Sequence, residues 1–158
     1  MKKRILYHVG TMMVLTWILG SVELKAQSNW EIGARFGPDI AIDMTIPLAR
    51  APRLHPAIYV HHDFAVGAYF DWLFAFEGGA TGFKLYPGVG PEFYFYDGFD
   101  FGIAGDFGLE YSFDFPLTIG IDWRPGFMVT EGFEFYNNNW GIFARFRFGE
   151  GVRLVKAH

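Results

Sequence analysis

Phe99-Asp100-Phe101-Gly102-Ile103-Ala104-Gly105-Asp106-Phe107-Gly108-Leu109-Glu110-Tyr111-Ser112-Phe113 is the stretch that decides the fold. Apart from Gly105, its odd positions are large and apolar, whereas its even positions are Asp, Gly, Ala, Asp, Gly, Glu and Ser. Successive side chains of a β-strand point to opposite faces of a sheet, so a period of two marks a strand with unlike faces. A helix would need apolar residues every third or fourth position, and this order would scatter them around its circumference.

The same alternation recurs on both sides of 99–113 and predicts eight strands: 28–36, 40–46, 57–61, 64–76, 83–95, 99–113, 117–130 and 139–149. The apolar face lies on even positions in the first four (Trp30, Ile32, Phe36; Ile40, Ile42; Ile58, Val60; Phe70, Trp72, Phe74). It moves to odd positions in the next three (Phe83, Leu85, Val89; Phe101, Ile103, Phe107; Ile119, Ile121, Trp123) and returns to even ones in the last (Trp140, Ile142, Phe146, Phe148). Register predicts hairpins that pair Phe36 with Ile40, Val60 with Phe64, and Phe95 with Phe99 across three-residue loops. Pairing 99–113 with 117–130 about Phe115 sets Asp106 opposite Arg124, a candidate ion pair. The 47–56 segment, between the second and third of these strands, reads as a loop.

Composition narrows the class. The chain has 158 residues, enough for one domain, and 51% of them are apolar, which excludes a disordered polymer. It has no cysteine, which excludes disulfides, thiolate metal sites, cysteine nucleophiles and lipidation at an N-terminal cysteine. Residues 1–26 read as a signal peptide. Lys2, Lys3 and Arg4 precede an apolar run from Thr11 to Gly20, and Leu24-Lys25-Ala26 offers a cleavage site. Its removal takes away four basic residues and Glu23, moving the formal charge from −4 to −7. No basic stripe is left to neutralise phosphates, so no nucleic-acid partner is expected. The expected organisation is a signal peptide at 1–26, a barrel domain at 27–149 and a C-terminal tail at 150–158.

The second face of these strands carries Glu31, Arg35, Asp43, Asp71, Lys84, Glu92, Asp100, Asp106, Glu110, Asp122, Arg124, Arg145 and Arg147. Tyr59, Tyr69, Tyr86, Tyr94 and Tyr96 are there too, with many glycines between. Phenols sort with the charges and phenyl rings with the aliphatics because a phenol needs a hydrogen-bond partner. Alternation does not say which face points inward, but bulk does. The apolar face carries twenty aromatic rings, and the interior of an eight-stranded barrel is only wide enough for ordinary side chains. The rings therefore point outward and the small polar face lines the lumen. Rings concentrate toward strand ends (Phe74, Phe76, Phe83; Phe93, Phe95, Phe99; Tyr111, Phe113), as aromatic girdles do at two membrane interfaces.

An export signal, eight alternating strands and a last strand Trp140-Gly-Ile-Phe-Ala-Arg-Phe-Arg-Phe148 resemble the small outer-membrane β-barrel proteins of Gram-negative bacteria. The resemblance spans residues 28–149 and implies an all-β, eight-stranded, antiparallel up-and-down transmembrane barrel. It also implies outer-membrane lipids as partners, a monomeric state, and contact with the barrel-assembly machinery during biogenesis, with Phe148 as the aromatic that this machinery reads. Two features depart from the family. Ten residues follow Phe148, and with periplasmic termini the three tight turns are extracellular while the longer 47–56 loop is periplasmic.

Chemistry is sparse. The serines of the processed chain are Ser28 and Ser112, and its histidines are His55, His61, His62 and His158. His61 and His62 fall at the end of the barrel opposite Ser112, out of hydrogen-bond reach, which leaves His55 as the one conceivable dyad partner. His61-His62-Asp63 reads as an exposed hairpin turn rather than a metal site, since adjacent turn residues diverge and no third ligand is evident. Asp39, Asp63 and Asp97 share one rim and offer loose divalent-cation contacts. Asp106, Glu110, Asp122, Arg124, Arg145 and Arg147 are expected to form a closed ion-pair network in the lumen, the alternative being a narrow pore that they line.

Pro87, Pro91 and Pro125 interrupt otherwise regular strands. With Pro87 and Pro91 opposite Phe107 and Ile103, and Pro125 opposite Gly105, strand 99–113 is expected to have broken ladders on both sides. Lipid A palmitoyltransferases, which are small barrels, resemble this in using proline-broken strands for lateral lipid entry. The same prolines otherwise read as β-bulges that give curvature. The sequence thus points to a non-catalytic outer-membrane barrel with a structural, binding or envelope-integrity role, needing no cofactor. The alternatives are a lipid-binding or lipid-modifying barrel, a narrow pore, or a soluble lipocalin-like barrel.

Overall fold

The computed structural model describes residues 30–60, 64–76, 82–95, 98–130 and 132–149. The expected signal peptide and tail, the His61-His62-Asp63 turn, Tyr96 and Asp97 lie outside the described residues.

Every regular element among the described residues is a strand: β1 (Trp30–Phe36), β2 (Ile40–Pro47), β3 (Pro52–Tyr59), β4 (Ala65–Trp72), β5 (Phe74–Ala75), β6 (Phe83–Tyr94), β7 (Asp100–Ser112), β8 (Leu117–Trp123), β9 (Gly126–Met128), β10 (Glu134–Tyr136) and β11 (Trp140–Phe148). They form eight antiparallel staves, in which β5 continues β4, β9 continues β8, and β10 leads into β11. Each stave pairs with the next in sequence, and β11 closes on β1 from Trp30↔Phe148 to Phe36↔Ile142. Closure leaves only the short strands β5 and β10 paired on a single side among the described residues, so no long edge is open to pairing with another chain.

The barrel has its polarity reversed relative to a water-soluble protein. Its buried hydrophobics are alanines, three tyrosines and Phe143, and the remaining buried side chains are polar or charged. Twenty-eight large hydrophobic side chains of the described residues are exposed on the outer wall. The twenty rings of the alternating face are on that wall, as their bulk requires. They touch in two arcs. At the end holding the termini, Trp30 stacks on Phe148 at 4.6 Å and Phe83 meets Tyr111 at 4.7 Å. At the other end, Phe95 meets Phe99 at 5.8 Å, Phe127 meets Phe135 at 4.9 Å and Trp123 stacks on Trp140 at 5.3 Å. These separations fall in the favourable range for ring pairs.

Inward-facing glycines make room for bulky lumen groups. A Cβ on Gly108 would collide with the Tyr86 ring, one on Gly120 with Phe143, and one on Gly141 would fall close to the Arg35 guanidinium.

Four readings of the strands need correction. The third strand is Pro52–Tyr59 rather than 57–61, and the turn before it shrinks to Leu48–Ala51. Prolines are tolerated there because alternate residues of an antiparallel strand face alternate neighbours. Pro52 opens the strand, and Pro56 leaves a gap only toward β2, whose pairing with β3 skips at Met44. With the loop gone, the long-loop departure from the resembled family goes too. The 64–76 strand is divided at Leu73 and the 117–130 strand at Arg124-Pro125. Finally, the short strand β10, absent from the sequence reading, pairs with β9 through Phe135↔Phe127 and Tyr136↔Gly126.

Candidate functional site

The lumen is where the chemistry-bearing side chains converge. Strand alternation brings them there: odd positions of β1 to β4 and β11, and even positions of β6 to β8, turn inward. Seven buried carboxylates (Glu31, Asp43, Asp71, Glu92, Asp106, Glu110, Asp122) face four buried guanidiniums (Arg35, Arg53, Arg124, Arg145). The excess of acid is met by His55, by Lys84 near the mouth, and by tyrosine hydroxyls.

Arg124 occupies the centre. It lies 3.2 Å from Asp106, 3.3 Å from Asp43 and 3.1 Å from Asp122, and its Nη1 donates to the Tyr59 hydroxyl at 2.8 Å. Arg35 donates from Nε to Asp122 at 2.7 Å and from Nη2 to the Asn139 carbonyl at 3.1 Å. Beside them His55 is fully buried among three carboxylates. Its Nε2 lies 3.3 Å from Asp43, and its Nδ1 lies 2.9 Å from Asp71 and 2.8 Å from Asp106. One ring nitrogen carries at most one hydrogen, so Nδ1 serves only one of those two carboxylates at a time.

Toward the end holding the termini, Arg53 donates to Asp71 at 3.0 Å and to Glu110 at 2.8 Å. Arg145 adds a second donor to Glu110 at 3.3 Å and stacks on the Phe143 ring at 3.9 Å. Toward the opposite end, Glu92 accepts hydroxyls from four tyrosines, Tyr59, Tyr69, Tyr94 and Tyr136. Four O–H donors can saturate a carboxylate's lone pairs, which explains why tyrosines sort to the polar face. These groups fill the cross-section: Arg35, Arg124, Arg145, His55, Tyr69 and Tyr86 all have essentially no exposed surface.

The sequence-predicted residues fall as follows. Asp106, Glu110, Asp122, Arg124 and Arg145 are joined in this network, and Asp106 meets Arg124 in the expected register. Arg147 stands apart from it. At the rim its Nη2 donates to the carbonyls of Phe113 and Phe115, tying down the turn between β7 and β8. Arg53 and His55 belong to the network but were hidden in a segment read as loop, and their inward odd-numbered spacing ahead of Ala57 and Tyr59 was the available signal. Ser112 and His55 form no dyad: Ser112 Oγ accepts from Lys84 Nζ at 3.1 Å, while His55 is engaged by the three aspartates. Phe148 ends β11 on the outer wall, stacked on Trp30.

Pro87 and Pro91 lie opposite Phe107 and Ile103, yet the β6–β7 ladder runs through twelve consecutive pairs without a break. Both are odd residues, and odd residues of this stave turn their N–H toward β4, as Phe95 N–H does in donating to the Phe64 carbonyl at 2.9 Å. The gap therefore falls on the β4–β6 ladder, which skips at Ala68 opposite Pro91. Pro125 interrupts the ladder on the far side of β7, where Gly105 N–H still donates to the Pro125 carbonyl at 2.8 Å. Strand β7 thus has a broken ladder on one side only, which corrects the expectation of two.

His55, Asp71 and Asp106 each bring one ligand atom within 4.8 Å of the other two, the spacing of a three-ligand metal cluster. The same carboxylates already receive Arg53 Nε at 3.0 Å and Arg124 Nε at 3.2 Å, so guanidinium charge stands where an ion would be needed. The donor set fits an ion-pair core better than a metal centre.

Together these features define a closed eight-stranded antiparallel β-barrel with a filled, charged lumen and an apolar wall. Comparison of the chain with protein-family models, with curated proteins and with solved structures finds no match.

Proposed function

We propose that this chain is an outer-membrane β-barrel protein of a Gram-negative bacterium, exported by a signal peptide that is then removed. Its role is structural, binding or envelope-stabilising rather than catalytic, and it works as a monomer surrounded by lipid. The observation that carries this reading is the outer wall. A continuous surface of exposed Ile, Val, Leu, Phe and Trp encircles the barrel, far beyond the few hundred Å² that a soluble monomer leaves open. Two arcs of rings at the strand ends support the same placement, as does closure of the sheet, which pairs most backbone groups outside the proline gaps without water. A soluble lipocalin-like barrel would hide its apolar face inside, where here the charges lie. A heat-modifiability gel on membrane fractions tests the reading. The protein is expected in the membrane pellet, migrating differently in cold SDS from its boiled form. Recovery in the soluble periplasm with a single mobility overturns it.

A second reading has its own observation. The ladder gaps at Pro91 and Pro125 flank the β6–β7 pair, and such gaps favour lateral access of lipid to the lumen for binding or modification. Spin labels near Ala68 and Gly105 report it. Lipid accessibility is expected to fall when Pro87, Pro91 and Pro125 are replaced by alanine, and unchanged accessibility removes this reading.

A further inference from the structure

The barrel end that holds the turn Leu48–Ala51 opens into a cavity of about 230 Å³. A single water needs only about 10–15 Å³ of such space, so the cavity has room for a small organic molecule. Charged groups on its wall are Arg50, Arg53, Lys84 and Arg147 against Glu31 and Glu110, a surplus of two positive charges.

The two acids are already engaged from below. Glu110 is held by Arg53 and Arg145 and approached by Lys84 at 3.8 Å, and Glu31 receives Thr118 at 2.9 Å and Thr45 at 3.4 Å. Arg50 is exposed on its turn, and Arg147 is held at the rim by the Phe113 and Phe115 carbonyls through Nη2 alone. A second observation concerns Arg53, which is 3% exposed. Its Nε and Nη1 are spent on Asp71 and Glu110 and its guanidinium lies 4.3 Å over the Tyr86 ring, so it adds fixed positive charge to the cavity wall rather than a free donor. The rest of the wall is apolar, from Ala49, Ala51, Leu73 and Ala75.

We infer that this vestibule is a binding site for a small amphipathic anion, with a carboxylate or phosphate head held by Arg50, Lys84 and Arg147 and a short carbon tail against the alanines and Leu73. Guanidinium forks match both head groups, and the apolar wall selects against a bare inorganic ion. The site does not depend on membrane placement, because it is built entirely at the lumen mouth. The opposite end offers no equivalent, since its described rim charges are Asp39, Asp100 and Glu134.

The test uses the full chain, folded in a non-ionic detergent, with labelled alanine methyl groups read by NMR. Acetate, butyrate, inorganic phosphate and butylammonium are titrated in turn. Saturable shifts at Ala49 and Ala51 are expected with butyrate, more weakly with acetate, and none with butylammonium. Butyl phosphate, added to the series, distinguishes the head groups: tighter binding than butyrate identifies a phosphate head and the reverse a carboxylate, while inorganic phosphate binding more tightly than both overturns the amphipathic reading. Arg50→Gln and Lys84→Gln are each expected to weaken binding about tenfold, the loss of one charge-assisted hydrogen bond. Equal shifts with butylammonium, no saturation with any anion, or binding unchanged in Arg50→Gln overturns the inference. Arg50 sits on an exposed turn outside the ion-pair core, so its variant decides the matter even if Lys84→Gln fails to fold.

Discussion

Arg124 shows what a charged residue contributes inside this barrel. It is wholly buried, touches Asp43, Asp106 and Asp122, and donates to Tyr59. Burying ions is costly, and a matched network only offsets that cost, so the network is better regarded as a specifier of register than as a source of stability. Removing one member is different, because it strands its partners. Arg124→Met is expected to destabilise the barrel by about 3–5 kcal/mol, the usual penalty for an uncompensated buried charge. Urea unfolding in detergent measures it, and a loss below about 1 kcal/mol would mean that water or counter-ions reach the lumen. The Asp106–Arg124 pair was legible in advance because antiparallel register fixes cross-strand partners. The triple role of Arg124 was not legible, since Asp43 comes from the far wall, 81 positions away in sequence.

At the scale of elements, the informative feature is where prolines sit in a closed sheet. Pro56, Pro91 and Pro125 each interrupt a different seam: β2–β3, β4–β6, and the seam between β7 and the β8–β9 stave. The seams between them, β3–β4 and β6–β7, run unbroken over eight and twelve pairs. The broken seams thus set off two firm pairs from a four-strand unit, β8–β11–β1–β2, whose three seams are unbroken. Pro91→Ala supplies an N–H facing Ala68 and is expected to close one gap. Amide hydrogen exchange at Ala68, whose N–H faces β6, should then slow, while that at Tyr69, which faces β3, and along β6–β7 stays unchanged; no slowing would place the gap in strand curvature rather than in the missing donor. Proline also marks the one strand misread as loop. Sequence says that proline lacks a donor, but only the pairing pattern says which neighbour goes without it, and at Pro56 that neighbour is β2 alone.

On the scale of the molecule, the arrangement is an apolar wall around a polar plug. With Arg35, His55, Tyr69, Tyr86, Arg124 and Arg145 filling the cross-section, the barrel is expected to carry no steady ion current in planar bilayers. Stepwise conductance from the purified protein would show that the plug opens and would favour the narrow-pore alternative. The two ends also differ: the vestibule end gathers Arg50, Lys84 and Arg147, while the opposite rim shows Asp39, Asp100 and Glu134. Asp114, in the turn that Arg147 holds, tempers the first group, so among the described residues the rim beside the termini is mixed in charge and the other rim is acidic.

The sequence by itself determined the strands, their faces, most hairpin registers and the direction in which the faces point. It could do so because alternation is a local property and because twenty rings exceed what an eight-stranded interior can hold. It also placed the charges and tyrosines together on the lumen face. Tertiary structure alone decided which carboxylates the arginines meet beyond the Asp106–Arg124 pair, the capture of Glu92 by four tyrosines, the exclusion of Arg147 from the network, and the vestibule at one mouth. Each of these depends on side chains from strands distant in sequence, brought within 3–4 Å by closure of β11 on β1. Closure is a property of the whole ring, and no single strand encodes it.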